Sequence, residues 1–336
     1  MGSHRRLVPS GFDRGAAALC VLSAAAAALG TVPAVAAPHD DTRSRVDRLY
    51  EEAEKATEAY NKADERADVL RGQVGDAQDR IARQQERVNS MRGQLGSLAG
   101  AQYRSGGLDP TLALLFSDDP DDYLAKASVL DRISSHQAGE LKDLQDVMRE
   151  LAQERAEAAK KLGELEKSRK TVASHKRTVE KKLAKARQLL NSLPDEERAA
   201  YDRASRSGRD GMPDFGGAVP ASGRAAAAVA AARSALGKPY VWGANGPSGF
   251  DCSGLMQWSY AQAGASLPRT SQAQRYAGRQ VPLSQAQPGD LVTYRSDASH
   301  VGMYAGNGQV IHAPYPGAPV RYDPVGMMPG ATVTRV

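Results

Sequence analysis

Two long heptad patterns constrain this chain more than any other feature of its sequence. Alternating steps of three and four residues from Val46 to Leu98 pass sixteen positions, and fifteen of them are apolar or aromatic. The same steps from Leu141 to Leu193 pass sixteen positions, of which thirteen are apolar. Sustained patterns of this kind, with polar residues elsewhere, are typical of a coiled coil.

The two patterns are equally long, about 80 Å each at 1.5 Å per residue. Equal arms joined by a turn-rich segment predict one antiparallel hairpin over residues 40–205. Polar residues at three seam positions weaken the apolar seam of the second arm, so a parallel dimer is the alternative. These positions are Arg155, Arg169 and Lys176.

The segment between the arms contains turn signals, such as Ser105-Gly106-Gly107 and Asp109-Pro110. An apolar patch follows at Leu112 to Phe116, and the helical pattern restarts at Tyr123. This order predicts a small helical tip at about residues 99–135. The apolar patch either caps the hairpin or offers a docking surface to a partner.

Composition changes sharply after the second arm. From Pro194 to Arg224 the periodicity is lost and Ser, Gly and Arg dominate, which predicts a flexible linker that we place at residues 206–223. Ten of the eighteen aromatic residues, including both tryptophans, lie from Tyr240 onward. Because aromatic side chains usually dominate core burial, a separate compact domain is expected over residues 224–336.

The first 36 residues have the order of a secretory signal peptide. A basic start precedes an apolar run at Ala16 to Leu29, and Ala34-Val35-Ala36 is a small-residue cleavage site. The apolar run is shorter than the roughly 20 residues of a membrane span, although an uncleaved anchor is the alternative. Cleavage after Ala36 would remove Cys20, so that a secreted protein with one cysteine, Cys252, is predicted.

The charge of the last domain favours an anionic polymer as its substrate. Residues 225–336 contain eight Lys and Arg against four Asp and no Glu, a net charge of +4. Export and the absence of a basic cluster interleaved with aromatic residues argue against nucleic acid.

Cys252 is predicted at the start of a helix. Asp251 is a good N-cap residue, which would place Cys252 at the first helical position. The positive end of the helix dipole there favours the thiolate, and hence a nucleophile. The alternative is a buried, inert cysteine.

Two histidines of the last domain, His300 and His312, lie on the two arms of a predicted β-hairpin. A two-residue turn at Asn307-Gly308 would place them on opposite faces of the sheet. A three-residue loop, Gly306-Asn307-Gly308, would pair Ala305 with Gln309 and place both histidines on one face. Catalysis by a histidine pair needs the second arrangement.

In order and spacing, a set of short motifs in the last third resembles the NlpC (NlpC and p-sixty) family of exported cell-wall cysteine peptidases. The motifs are Tyr240-Val241-Trp242-Gly243, Asp251-Cys252-Ser253-Gly254-Leu255, Pro268-Arg269, Pro288-Gly289-Asp290-Leu291, His300-Val301-Gly302-Met303-Tyr304 and Ile311-His312-Ala313. The resemblance implies a papain-like α+β fold for this domain. Together with the heptad patterns, it predicts an α+β chain in which a long antiparallel coiled-coil hairpin is followed by the peptidase domain.

The resemblance also implies the roles of single residues. Cys252 would be the nucleophile, His300 its general base and later the acid, and His312 the residue that orients His300. Four further motif residues are expected to support the substrate or the oxyanion. They are Tyr240, Ser253, Asp251 and Arg269. Helix capping or a surface position is the alternative explanation for such residues. No metal and no cofactor are expected.

The predicted function is a secreted peptidoglycan endopeptidase that cleaves an amide of the stem peptide, between the γ-linked D-glutamyl residue and the diamino acid. The coiled coil is expected to regulate it, either by self-inhibition or by docking an envelope or divisome protein. Two alternatives stay open: an acyl or amide transferase of the same superfamily, and a coiled-coil scaffold or activator that binds peptidoglycan without hydrolysing it.

Overall fold

The computed structural model describes residues 38–104, 120–206 and 219–336. The predicted signal peptide, the apolar patch at residues 112–116 and most of the predicted linker lie outside these residues.

Two long helices form the first part of the protein, α1 (Pro38–Arg104) and α2 (Pro120–Asn191). They run antiparallel, because residues early in α1 pack on residues late in α2. Leu70 packs with Leu165, and Val88 packs with Val147 and Leu151. The predicted antiparallel helical hairpin is therefore confirmed, within a single chain.

Polar residues also join the two arms. Arg155, one of the polar seam residues, donates a hydrogen bond to Gln85 across the hairpin at 2.6 Å. Arg66 pairs with Glu164 at 3.3 Å. Long side chains at the edge of the seam thus reach the opposite arm, where they match its polar groups.

A third helix, α3 (Asp195–Arg206), follows Pro194 directly. The prediction of a flexible chain from Pro194 onward is wrong for these residues. Three acidic residues in the first turn, Asp195 to Glu197, favour the helix start electrostatically. Tyr201 is buried against the hairpin, and its hydroxyl bonds to Asp47 at 3.0 Å. A short amphipathic helix with one buried aromatic residue leaves little periodic signal in the sequence.

The last domain is an antiparallel sheet with helices packed on one face. Its helices are α4 (Gly223–Ser234), α5 (Cys252–Gln262) and the short α6 (Ser271–Gln274). Its strands are β1 (Arg279–Val281), β2 (Leu291–Tyr294), β3 (His300–Gly306), β4 (Gln309–His312), β5 (Arg321–Pro324) and β6 (Thr332–Arg335). The strand order is β1-β6-β2-β3-β4-β5. This is the predicted α+β architecture.

The core of this domain lies between the sheet and the helices α4 and α5. Ala228 and Ala232 of α4 pack with Leu255 and Met256 of α5 and with strand residues such as Met303. Small alanines let α4 approach closely, and the buried side chains of α5 fix the start of that helix against the sheet.

The turn between β3 and β4 differs from both predicted forms. It is a two-residue turn at Asn307-Gly308, with positive φ at both residues, and Gly306 faces Gln309. A bulge at Ala305 then shifts the register, so that Met303 faces Ile311. The extra residue reverses the side-chain alternation beyond the turn. The two histidines therefore share one face, as catalysis by a histidine pair requires, although the loop contains two residues and not three.

The hairpin docks on the last domain through aromatic contacts. Tyr50 of α1 stacks on Tyr315 with ring centroids 5.0 Å apart, and Tyr60 meets the edge of Trp242 at 5.2 Å. Tyr201 also lies near Tyr315. Within residues 38–104, 120–206 and 219–336, no helix has both the length and the apolar character that a membrane crossing requires.

Burial along the hairpin seam predicts that two leucines contribute very differently to the free energy of unfolding. Leu70 is 2% exposed and Leu162 is 52% exposed. We expect Leu70→Ala to lower the free energy of unfolding by about 3 kcal/mol, because it leaves a cavity in the seam. Leu162→Ala should change it by less than about 0.5 kcal/mol. Urea unfolding followed by the helical circular dichroism signal measures both, and equal effects would contradict the seam as the source of hairpin stability.

Candidate active site

Cys252 occupies the first position of α5, as predicted. The N-cap residue Asp251 has extended backbone, and its side chain accepts the backbone N–H of Gly254 at 2.6 Å. This cap fixes the direction in which the helix leaves the loop. Cys252 is 1% exposed and lies against β3.

His300 and His312 form a hydrogen-bonded pair. His300 Nε2 lies 2.8 Å from His312 Nδ1, and the rings meet edge to face. His312 Nε2 lies 2.8 Å from an oxygen of Asp323 on β5. Both histidines are buried. A Cβ atom at position 302 would lie 3.1 Å from the Cβ of His312. Glycine at this position therefore leaves room for the His312 ring beside His300.

The proton positions on this pair follow from its electrostatics. The pKa of His312 is lowered to about 4, chiefly because the ring is buried and also by the nearby His300, although Asp323 opposes both effects. His312 is therefore neutral at physiological pH. A carboxylate can only accept, so His312 donates its Nε2–H to Asp323 and accepts the Nε2–H of His300 at Nδ1. This leaves Nδ1 of His300 as the nitrogen available for a thiol.

A row of polar side chains on α1 lies in the cleft that contains Cys252 and His300. Four residues at helical spacing form this polar stripe, and all are at most 3% exposed. They are Glu54, Thr57, Glu58 and Asn61. Residues three or four apart share one face of a helix, so all four side chains of the stripe lie in the cleft together.

Glu54 occupies the free nitrogen of His300. One carboxylate oxygen lies 2.9 Å from His300 Nδ1, and the other lies 2.8 Å from Arg295. Burial opposes ionisation of Glu54, but the charges and hydrogen bonds of His300 and Arg295 outweigh it and lower the pKa of this carboxyl. Glu54 is thus a buried carboxylate, held by two partners at the position where a general base would meet its thiol.

Glu58 lies over the thiol itself. Its Oε1 is 3.7 Å from Cys252 Sγ and accepts the hydroxyl of Ser253 at 2.7 Å. Its Oε2 accepts the backbone N–H of Ser271 at 2.8 Å. Asn61 completes the docking by donating to Asp251 at 3.1 Å. Five elements of the last domain are therefore bonded to the polar stripe: the loop before α5, α5 itself, α6, the loop between β2 and β3, and β3.

The expected thiolate does not form in this arrangement. Burial raises the pKa of the Cys252 thiol well above its usual range, and the carboxylates of Glu58, Asp251 and Glu54 raise it further. The predicted effect of the helix dipole is therefore outweighed while α1 covers the site. A thiol in these surroundings is protonated and weakly nucleophilic.

The remaining predicted residues gather around Cys252. Asp251 binds Arg269 through both carboxylate oxygens, at 3.0 and 2.6 Å. Arg269 also donates to the Ser253 hydroxyl at 3.0 Å. Tyr240 is buried nearby, and its burial, followed by the adjacent Cys252 and carboxylates, raises its pKa well above the usual range. The structure thus places all seven predicted residues in one region, with Asp251 and Arg269 paired to each other.

Several residues of the site had no distinct signal in the sequence. Glu54 and Glu58 stand among many polar residues of a heptad pattern, where a solvated face is the usual interpretation. Arg295 and Asp323 lie outside the recognised motifs. Only the cleft surface, which belongs to another domain, distinguishes the polar stripe from the rest of α1.

Comparisons with known proteins agree with the motifs. A family model described as the NlpC/P60 family matches residues 237–329. A probable endopeptidase of Corynebacterium glutamicum is 48% identical over 118 residues, which are 35% of this chain and 56% of that protein. Probable endopeptidase p60 of Listeria monocytogenes is 54% identical over 97 residues, 28% of this chain and 20% of that protein. The chain thus spans about half or less of these relatives.

A solved structure is also similar to part of this chain. The crystal structure of the NlpC/p60 domain of the peptidoglycan hydrolase SagA is 41% identical, with a TM-score of 0.31. The match covers 33% of this chain and 98% of that chain. The family model lies in the last third of the chain, and each of the other similarities covers about a third of the chain or less.

Docking of the hairpin is expected to depend on pH through Glu58. Burial, and next to it the charge of Asp251, raise the pKa of Glu58 from 4.5 to about 7, although Ser253, Ser271 and Arg269 oppose this. The docked state therefore binds the proton more tightly than the undocked state, so docking is strongest below about pH 5 on this account and weakens as pH rises through 7.

Glu58→Gln is the matched variant, because an amide resembles the protonated acid at every pH. We expect the thermal midpoint of the wild-type protein to fall relative to that of Glu58→Gln between pH 5.5 and pH 8.5. Thermal unfolding of both proteins across this range measures the difference. Parallel curves would show that Glu58 does not titrate on docking.

Proposed function

Because its last third makes this chain a member of the NlpC/P60 family, we propose that it is a cysteine endopeptidase of peptidoglycan. The observation that best supports this activity is that a helix-start thiol and a hydrogen-bonded pair of histidines face neighbouring residues of the polar stripe, since Glu58 contacts Cys252 and Glu54 contacts His300. The curated relatives named as endopeptidases, and the solved domain of a peptidoglycan hydrolase, support the same substrate class.

The proposed reaction follows from the free nitrogen of His300. With α1 withdrawn, His300 Nδ1 accepts the proton of Cys252, and the thiolate attacks the carbonyl carbon of the substrate amide. The amide C–N bond breaks as His300 returns the proton to the leaving amine, which gives a thioester. Water, deprotonated by His300, then hydrolyses the thioester and releases the acid product and the free thiol.

Two further groups would serve this reaction. His312 keeps the ring of His300 in one orientation and one tautomer through the 2.8 Å bond between them. The backbone N–H of Cys252 at the start of α5 and the neutral hydroxyl of Tyr240 are the donors we propose for the oxyanion. No metal and no cofactor take part in this scheme.

The proposed substrate bond lies in the stem peptide, between the γ-linked D-glutamyl residue and the diamino acid. The net charge of +4 on residues 225–336 suits an anionic cell-wall polymer. The signal-like first 36 residues support a secreted location at the cell wall. Both features fit an enzyme that meets its substrate outside the membrane.

We also propose that the hairpin inhibits the enzyme to which it is attached. Glu54 holds the nitrogen that would take the thiol proton, and Glu58 covers the thiol. Cys252 and His300 are almost fully buried, so a stem peptide has no access to them. Activity would require α1 to leave the cleft.

An envelope or divisome protein is the proposed partner for this release. The far end of the hairpin exposes apolar side chains that no part of the described chain covers. Examples are Leu124, Val129, Ile133 and Leu141, at 47 to 64% exposed. These residues belong to α2, which packs on α1 along the seam, so a partner bound there would act on α1 through that packing.

We expect Glu54→Lys to activate the protein. An ammonium group at this position would meet Arg295 and His300 in a buried site, and unpaired like charges there oppose docking. Glu65→Lys is the matched control, since Glu65 is an exposed residue of the same helix. Digestion of purified peptidoglycan, with the released fragments identified by mass, should be at least tenfold faster for Glu54→Lys than for the wild-type protein or Glu65→Lys.

Cys252→Ala in the Glu54→Lys protein tests whether the thiol carries the reaction, and we expect it to release no fragments. If the wild-type protein is as active as Glu54→Lys, self-inhibition is rejected. If Glu54→Lys binds peptidoglycan but releases nothing, the scaffold alternative replaces the endopeptidase. Products joined to an added amine, without free acid, would instead identify a transferase.

A further inference from the structure

Asp323 lies directly behind the histidine pair, on the strand next to that of His312. His312 of β4 faces Arg321 of β5, and Asp323 is two residues farther along β5, so Arg321 and Asp323 point to the same face of the sheet. Diagonal neighbours of this kind are within reach of long side chains. The 2.8 Å contact between His312 Nε2 and Asp323 is the result.

From this geometry we propose that Asp323 is a positioning residue, which sets the tautomer of His300 by acting through His312. The role rests on the proposed peptidase function, in which His300 Nδ1 must be free of a proton to act as a base. Asp323 itself touches neither the thiol nor the substrate region, and it forms the far end of a chain of three side chains.

The argument depends on which nitrogen carries each proton. Asp323 accepts the Nε2–H of His312, so a neutral His312 presents a bare Nδ1 to His300. That nitrogen accepts the Nε2–H of His300. The second nitrogen of His300, Nδ1, donates to the carboxylate of Glu54 while α1 is docked, and it has a lone pair once α1 has left the cleft. Without an acceptor at position 323, His312 can place its proton on Nδ1 instead. His300 would then turn a bare Nε2 toward His312 and carry its proton on Nδ1, where it cannot take the thiol proton.

Arg321 holds Asp323 in this role. Its guanidinium donates from Nε to the same oxygen that meets His312, at 2.8 Å. Burial opposes ionisation of Asp323, but the bonds and charges of His312 and Arg321 outweigh it and lower the pKa of this carboxyl. The charged groups that face His312 are therefore Asp323 and Arg321 from β5 and His300 from β3, and the carboxylate among them is the acceptor.

Strand pairing alone does not account for this contact. Backbone bonds already join β4 and β5 in register from Gln309 and Pro324 to His312 and Arg321. Asp290 offers a comparison within the same domain, because it also pairs with an arginine, Arg335 at 2.7 Å, but has no histidine partner. If both aspartates were only structural, substituting either one would have the same effect on the protein. A positioning role predicts that only the substitution of Asp323 changes the histidine pair.

The first test reads the tautomers in the full chain. Long-range ¹H–¹⁵N spectra of ¹⁵N-histidine-labelled protein should show His312 neutral with its proton on Nε2 in the wild-type protein. In Asp323→Leu, which removes the acceptor, a mixture of the two His312 tautomers is expected. Asp323→Asn keeps an acceptor oxygen, so it should stay close to the wild-type spectrum, as should Asp290→Asn. An unchanged His312 tautomer in Asp323→Leu would overturn the proposal.

The second test measures activity with Glu54→Lys present, so that the cleft is open. Adding Asp323→Leu should lower kcat by about 10- to 100-fold, comparable to the loss when the hydrogen-bond partner of an oriented, metal-bound histidine is removed. KM should stay within about twofold. Adding Asp323→Asn should give a smaller loss, and adding Asp290→Asn should leave kcat unchanged.

A kcat for Asp323→Leu within twofold of that of its Glu54→Lys parent would overturn the proposal. Failure of the proposed function is distinguishable from this result. If the Glu54→Lys protein itself digests no peptidoglycan, the peptidase function fails, while the tautomer spectra still decide whether Asp323 sets the state of the histidine pair.

Discussion

The contact of Glu54 with His300 and Arg295 is the interaction on which the arrangement of the two domains depends. It places a carboxylate of α1 at the one nitrogen of His300 that His312 leaves free. The contact needs a straight helix, because Glu54, Glu58 and Asn61 must reach three different partners together. Packing of α1 against α2 supplies that rigidity, so the heptad seam keeps these three side chains at their partners in the cleft.

The polar and apolar parts of the docking surface have different physical roles. Removing charges such as Glu54 and Arg295 from water costs several kcal/mol per ion, and their mutual attraction roughly offsets this cost. Buried ion pairs therefore fix position more than they add stability. Stacking of Tyr50 on Tyr315 and the contact of Tyr60 with Trp242 lie beside the polar stripe and gain free energy by removing aromatic surface from water. Apolar contacts thus hold the hairpin in place, while the carboxylates determine its register.

Local patterns in the sequence predicted the hairpin, the cap at Asp251 and the helix start at Cys252, because each depends on residues near one another in the chain. Features that depend on a distant surface were not predictable. Glu54 and Glu58 have the same local pattern as solvated glutamates, and only the cleft makes them different. The bulge at Ala305 was not predicted for another reason. The turn residues Asn307 and Gly308 are compatible with several strand registers, and packing of the sheet selects one of them.

One displacement of α1 would change both the access to Cys252 and its chemistry. In the proposed inhibited state, the side chains of Glu58 and Glu54 fill the space at the thiol and at His300, and their carboxylates raise the pKa of the thiol by their charge. With them gone, water reaches the start of α5, the burial that opposes ionisation is relieved, and the positive end of the helix is left to favour the thiolate. The same movement frees Nδ1 of His300. A partly opened hairpin that kept Glu54 on His300 would therefore still be inactive, because the thiol would have no base.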